Sequence, residues 1–299
     1  HLGFSESFPA SAVSEGADVV IQSFHKTLPS LTQTALLHMN GKLVDRDSVR
    51  RYLHMLQSSS PSYILMASID ECIRLVNEER ERVFKPYVEM LRQLRKEIRK
   101  LKNLQLLETM QYDASKIVIS ARGRLSGKEL QEILLENYHL QMEMAAGSYV
   151  IAMTGPGDTQ EGINRLLNAL RNLDKRLDEV LQGNREPDKS LDEVLSGNRK
   201  TDAAMKKDPG FCRHPLIPAE RVVESAKVKG RKGLALPWQE VVGKVSLEFV
   251  YLYPPGIPIV VPGERVSEEA VQQILDYEKN GFTIEGTKKK DRLEVLKNG

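Results

Sequence analysis

The run Ala17-Asp18-Val19-Val20-Ile21 leads through Gln22 into Ser23-Phe24-His25-Lys26, and this junction narrows what the chain can fold into. A β-branched run reads as a buried strand. In open α/β sheets, ligands gather just beyond the carboxyl ends of the strands. The junction therefore predicts a strand over residues 17–23 with a serine, a histidine and a lysine grouped at its end. An amine there can form a Schiff base with an aldehyde cofactor, while the hydroxyl and imidazole can hold that cofactor's phosphate. The same residues also suit a solvated lysine closing an ordinary strand, and short motifs alone do not separate the two readings.

The 299 residues leave room for two or three domains and a sizeable core. The 43 basic and 41 acidic residues nearly cancel, to a net charge of +2, so nothing points to nucleic acid. Basic residues mostly alternate with glutamate, as in Glu78-Glu79-Arg80-Glu81-Arg82, which is the pattern of a solvated helix face. Two cysteines, Cys72 and Cys212, occur without a C-x-x-C pair. That usage argues for a reducing, cytoplasmic setting and against a disulfide scaffold or structural zinc. His38, His54, His139 and His214 have no metal-ligand spacing, so no metal is expected. No stretch reaches the length of a membrane span.

After Lys26 the chain is polar and irregular through Gln33-Thr34, then apolar at Ala35-Leu36-Leu37-His38-Met39. Asp47 is expected to cap a helix ending at Leu56, with Ser58-Ser59-Ser60-Pro61-Ser62 as a loop. A long helical segment follows from Tyr63 to about residue 101, with a kink expected at Pro86. Lys116–Ser120 and Tyr149–Met153 read as strands; Ser126 with Glu129 reads as a capping box opening a helix to about Tyr138. Gly155-Pro156-Gly157 is a strand-to-helix loop without the glycine pattern of a phosphate cradle, and a helix from Thr159 to Leu181 follows. The segment Leu177-Asp178-Glu179-Val180-Leu181 with Gly183-Asn184-Arg185 recurs as Leu191-Asp192-Glu193-Val194-Leu195 with Gly197-Asn198-Arg199. Two copies are too few for a solenoid and read as a charged linker. Toward the C-terminus, Val245–Tyr253 is strand-like, Ile259-Val260-Val261 is a second apolar run, and Ser267 caps a helix to Lys279.

Three segments together resemble the bacterial ornithine/lysine/arginine decarboxylases, pyridoxal-phosphate enzymes of fold type I. They are Ser23-Phe24-His25-Lys26 with Gln33-Thr34, Ser60-Pro61-Ser62-Tyr63 with Ala67-Ser68-Ile69-Asp70, and Tyr253-Pro254-Pro255-Gly256-Ile257-Pro258 with Pro262-Gly263-Glu264. They follow the family's order across nearly the whole chain. The resemblance implies an α/β protein with four segments. Residues 1–103 would be part of an aspartate-aminotransferase-like large domain, and residues 104–175 a small α/β domain. Residues 176–204 would be the duplicated linker, and residues 205–299 a C-terminal α+β decarboxylase domain. His1-Leu2-Gly3-Phe4 matches only the tail of a family segment that carries the acid paired with the cofactor's pyridine nitrogen. A chain lacking the N-terminal half of the large domain is therefore expected.

By the same resemblance, Lys26 forms the Schiff base with pyridoxal 5'-phosphate, and His25 and Ser23 contact its phosphate. Ser59 and Ser60 reach the phosphate of a neighbouring subunit, since family sites lie at a homodimer interface. Glu264 is a candidate contact for a cationic substrate tail, against the plainer reading of a solvated turn carboxylate. Gln33 and Thr34 shape the loop after the lysine. The implied reaction is decarboxylation of arginine, lysine or ornithine in polyamine metabolism. A second fold-type I activity such as transamination, or a non-catalytic remnant acting through subunit association, are the alternatives.

Overall fold

The computed structural model of the chain describes residues 3, 5–110, 112–181, 219–253, 256–279 and 281–297. The duplicated stretch after Leu181, Pro254-Pro255, and three residues of His1-Leu2-Gly3-Phe4 lie outside the described residues. The chain divides into two compact units: His1–Ser120 with Leu134–Glu143 and Ile151–Glu186, and Ala121–Ile133 with Met144–Val150 and Pro187–Gly299.

In the first unit the β-branched run forms β1 (Val19–Ser23), and one helical turn, α1 (Phe24–Thr27), follows at once. β1 pairs antiparallel with β2 (Ala35–Met39), with Val19 opposite Met39 and Ser23 opposite Ala35. The expectation of a buried strand is corrected here. The sheet has two strands, no β1 residue is fully buried, and Ile21 is 70% exposed. One neighbouring strand cannot cover both faces and the far edge of a ribbon.

α2 (Arg46–Leu56) is capped by Asp45, not by Asp47 as the sequence suggested. The Asp45 carboxylate accepts from the Asp47 and Ser48 amides at 3.2 and 3.1 Å, the donors of the second and third helical residues that a cap satisfies. Bonds from the Ser48 hydroxyl and amide and from the Asp47 amide hold that carboxyl below its usual range. The long helical segment breaks at Glu79 (φ −123°, ψ 19°) into α3 (Tyr63–Glu78) and α4 (Arg80–Ile98), and Pro86 lies inside α4. α4 runs through Pro86 because Phe84, Tyr87, Leu91, Leu94 and Ile98 form one buried stripe at three- and four-residue spacing. That burial outweighs the single amide a proline removes.

β3 (Gln105–Leu106) pairs antiparallel with β4 (Lys116–Ser120), in a sheet ordered β3-β4-β6-β5 with β5 (Met144–Ala146) and β6 (Tyr149–Met153). α5 (Gly127–Tyr138) opens with the expected reciprocal cap: the Ser126 amide donates to Glu129 at 2.7 Å and the Glu129 amide to the Ser126 hydroxyl at 3.2 Å. α6 (Gln160–Leu181) buries Leu166, Leu170, Leu173 and Leu177 along one face. The Asp174 carboxylate on that face accepts from the amides of Lys102, Asn103 and Leu104 at 3.2, 2.7 and 2.9 Å, tying the end of the α4 segment to α6.

The second unit has its own core of Trp238, Val241, Val250, Val260, Val266, Val271, Ile274, Leu293 and Val295. Its sheets pair β7 (Gly233–Pro237) with β11 (Arg292–Leu296), and β8 (Val250–Leu252) with both β9 (Ile257–Val260) and β10 (Ile284–Glu285), all antiparallel. The strand expected over residues 245–253 shrinks to β8, because the Ser246 hydroxyl bonds the backbone of Glu248 on both sides, at 2.7 and 3.2 Å. Such local side-chain bonds compete with a ladder. α7 (Glu268–Lys279) is capped by the Ser267 hydroxyl, which accepts from Ala270 at 3.1 Å.

Candidate active site

β1 ends and α1 turns in one step, so Ser23, His25 and Lys26 emerge within a single turn of backbone. The turn is held from several sides. The Phe24 amide bonds the Thr34 carbonyl at 3.0 Å. The His25 Nδ1 lies 2.8 Å from that same carbonyl. A carbonyl only accepts, so Nδ1 carries the hydrogen, and Nε2 is the ring atom left for a ligand. A ring that also donates from Nε2 to a phosphate oxygen has to carry its second proton. The Ser23 hydroxyl makes no capping bond to α1, which leaves it available.

The loop after Lys26 is pinned by a residue the sequence reading left without a role. The Ser68 hydroxyl, on α3, accepts from the Leu31 amide at 2.8 Å and meets the Ser30 hydroxyl at 3.1 Å. The Ala67-Ser68-Ile69-Asp70 segment thus anchors the lysine loop. Thr34 is buried and its hydroxyl donates to Leu31 at 2.7 Å, while Gln33 takes a left-handed backbone at φ 77°. Both shape the loop, as expected from the sequence.

Behind α1 stands the loop after β6. A Cβ on Gly155 would sit 2.8 Å from the Thr27 carbonyl oxygen, so only glycine permits this approach. The loop is fixed by a relay in which buried Tyr87 donates to the Thr154 hydroxyl at 2.7 Å and Thr154 donates to the Ser115 carbonyl at 2.8 Å. Burial pushes the Tyr87 phenol well above its ordinary range and keeps it a neutral donor. The Gly155 amide is spent on Asp158 at 2.8 Å, so this loop does not offer it to a phosphate.

Lys26 itself meets Glu143. Its Nζ lies 2.6 Å from Glu143 Oε1, with side chains 48% and 31% exposed. Glu143 directly precedes β5, and its amide donates to the Ile151 carbonyl at 2.9 Å. No motif announces it: it is one acid between Met142 and Met144, 117 positions from the lysine. The only sequence signal is that isolated charge at the entry to a strand.

The other candidates are placed elsewhere. Ser59 and Ser60 sit in the exposed loop between α2 and α3, where the Ser58 hydroxyl donates to the Ser60 carbonyl at 3.2 Å. Glu264 belongs to the second unit, and its carboxylate accepts from the Val261 amide within its own turn at 2.8 Å. In that turn Gly263 has φ 94°, and a Cβ there would lie 2.1 Å from the Val223 carbonyl oxygen. The Pro262-Gly263-Glu264 segment is thus accounted for by backbone geometry.

An amine at 48% exposure, a free hydroxyl and an imidazole with one open nitrogen form a donor set suited to an aldehyde that also carries a phosphate. Residues 1–125 match the Orn/Lys/Arg decarboxylase major domain, and residues 217–283 match the Orn/Lys/Arg decarboxylase C-terminal domain; together these are more than half of the chain. The arginine decarboxylase of Bacillus subtilis (strain 168) is 27% identical over 295 residues, which are 96% of this chain and 55% of that protein. The uncharacterized protein YaaO of the same organism is 30% identical over 305 residues, 99% of this chain and 58% of that protein. The chain spans about half the length of the curated relatives it matches. The crystal structure of the Francisella novicida lysine decarboxylase LdcF superposes with a TM-score of 0.70 at 18% identity, over 93% of this chain and 49% of that one. That likeness bears out the α/β decarboxylase-type fold read from the sequence.

Proposed function

The chain belongs to the Orn/Lys/Arg decarboxylase family, and from that premise we propose that it carries the lysine-bearing half of a site that decarboxylates a basic amino acid using pyridoxal 5'-phosphate. Arginine is favoured over lysine and ornithine, following the name of the Bacillus subtilis relative. The product amine would enter polyamine metabolism. The observation that carries the proposal is the grouping of Lys26, His25 and Ser23 on one turn, with the lysine open to a ligand.

When bound, the cofactor supplies an electron sink for the bond that breaks at the substrate α-carbon. The protein's own part is placement. Lys26 offers the attachment point, Ser23 and the His25 Nε2 hold the phosphate, and the Gly155 loop and Ser68 keep the lysine turn from moving. Ser59 and Ser60 serve the phosphate of a second copy in a homodimer, which fits their exposure and their distance in sequence from Lys26. Glu264 is the candidate for the cationic end of a substrate: its bond from Val261 uses Oε2 and leaves Oε1 to accept. No helix among the described residues is long and apolar enough to cross a membrane, and the cysteine usage supports a cytoplasmic setting.

The proposal is tested by mixing the protein with pyridoxal 5'-phosphate, reducing with borohydride and mapping the labelled peptide. Lys26 takes the label and Lys26→Ala loses it. Absence of preferential labelling at Lys26 refutes the reading. Release of carbon dioxide from arginine, lysine and ornithine then ranks the substrates.

A further inference from the structure

We infer that Glu143 is a catalytic residue in its own right, the proton carrier for bond formation at Lys26; this rests on the reading of Lys26 as the attachment lysine. The two groups are in direct contact at 2.6 Å, with a carboxylate oxygen against the reacting nitrogen. The backbone is held at both ends of the contact. Lys26 lies on a turn held by the Phe24 and His25 bonds to Thr34 and by the close approach of Gly155 to Thr27. Glu143 is held by its amide bond to Ile151. A pair this exposed contributes little to the stability of the fold.

An ammonium cannot attack an aldehyde, because its lone pair holds a proton. The step balances if Glu143 takes one proton from Nζ. The freed pair then forms the nitrogen–carbon bond as the carbonyl π electrons move to oxygen. A second proton passes from nitrogen to that oxygen. Glu143 returns its proton to the same oxygen, the carbon–oxygen bond breaks, and water leaves. The third nitrogen proton stays, so the positive charge beside Glu143 is the same before and after. A carboxylate within hydrogen-bond reach of the reacting atom is what such general acid–base assistance requires.

The test follows borohydride-trapped pyridoxal 5'-phosphate at Lys26 by peptide mass mapping, with the remaining surface lysines as internal reference. Glu143→Gln keeps the shape and loses the carried proton, and Glu143→Ala opens space for a small acid. Both are expected to label Lys26 about a hundred-fold more slowly, the lower end for general acid–base assistance. Reference lysines label unchanged, and added acetate restores the rate in Glu143→Ala alone. Labelling of Lys26 at the wild-type rate or faster in either variant overturns the proposal, since Glu143 then only holds the ammonium. Slow labelling that acetate does not restore also overturns it, leaving a positional role. Failure of the wild type to label Lys26 refutes the attachment reading itself, and this inference falls with it.

Discussion

Gly155 comes so close to Thr27 that a methyl group on it would lie 2.8 Å from the Thr27 carbonyl oxygen. The contact joins the loop after β6 to the turn that carries Lys26. Gly155→Ala must push one of them away, and neither gives easily, because Thr154 is tied to Tyr87 and Ser115. We expect a loss of about 1–3 kcal/mol, the range for overpacking, together with slower aldehyde labelling of Lys26. Urea midpoints and peptide mapping check both, and an unchanged midpoint would show that the loop stands off the turn.

Asp174 provides a second test, one of stability alone. Its carboxylate receives the amides of Lys102, Asn103 and Leu104, and the last two residues are buried. Asp174→Ala strands those donors in the interior at about 1–3 kcal/mol each. A drop on the order of 3 kcal/mol in unfolding free energy is expected, with the aldehyde labelling of Lys26 unchanged. A drop under about a third of that would mean that water or a shifted backbone satisfies the amides.

Glu108 sets an acid dependence. Burial by itself would raise its carboxyl, but the bonds from Arg99 and from buried Arg95 outweigh that and hold it below the usual range. The folded chain therefore keeps Glu108 ionised at a pH where the unfolded chain has already bound a proton. Its contribution is complete above the ordinary value of about 4.3 and is lost as pH falls through the lower folded value. Asp113 acts in the same direction, burial being outweighed by Ser115 and Lys116. Urea midpoints of the wild type should fall steeply below about pH 4.3. Glu108→Gln should start lower at neutral pH, because Arg95 loses its charged partner, and should decline less steeply in acid. Parallel acid limbs for the two proteins would contradict the assignment.

What could be read along the chain was what neighbouring residues settle between themselves. The reciprocal cap of Ser126 and Glu129 and the Ser267 cap both need only three or four residues, and both are present. The serine–histidine–lysine grouping is likewise a property of four consecutive positions. The misses have the same logic. The sequence points to Asp47 as the cap of α2, and the backbone places Asp45 there instead. Pro86 looked like the weak point of the long helix, yet the buried stripe through Phe84 and Tyr87 carries the helix past it and the break falls at Glu79.

For the proposed site, the sequence by itself determined which side chains stand together at the strand end. A lysine beside a histidine and a serine at the end of a β-branched run was legible before any folding. Tertiary structure alone decided that the lysine faces Glu143, that Ser68 and Gly155 brace its turn, and that β1 stays half open with Ile21 exposed. Hydrogen bonding and capping within a turn are fixed by residues that are already neighbours. A contact across 117 positions exists only after the chain has paid the entropy of closing that loop, and no local pattern records which acid will be waiting there.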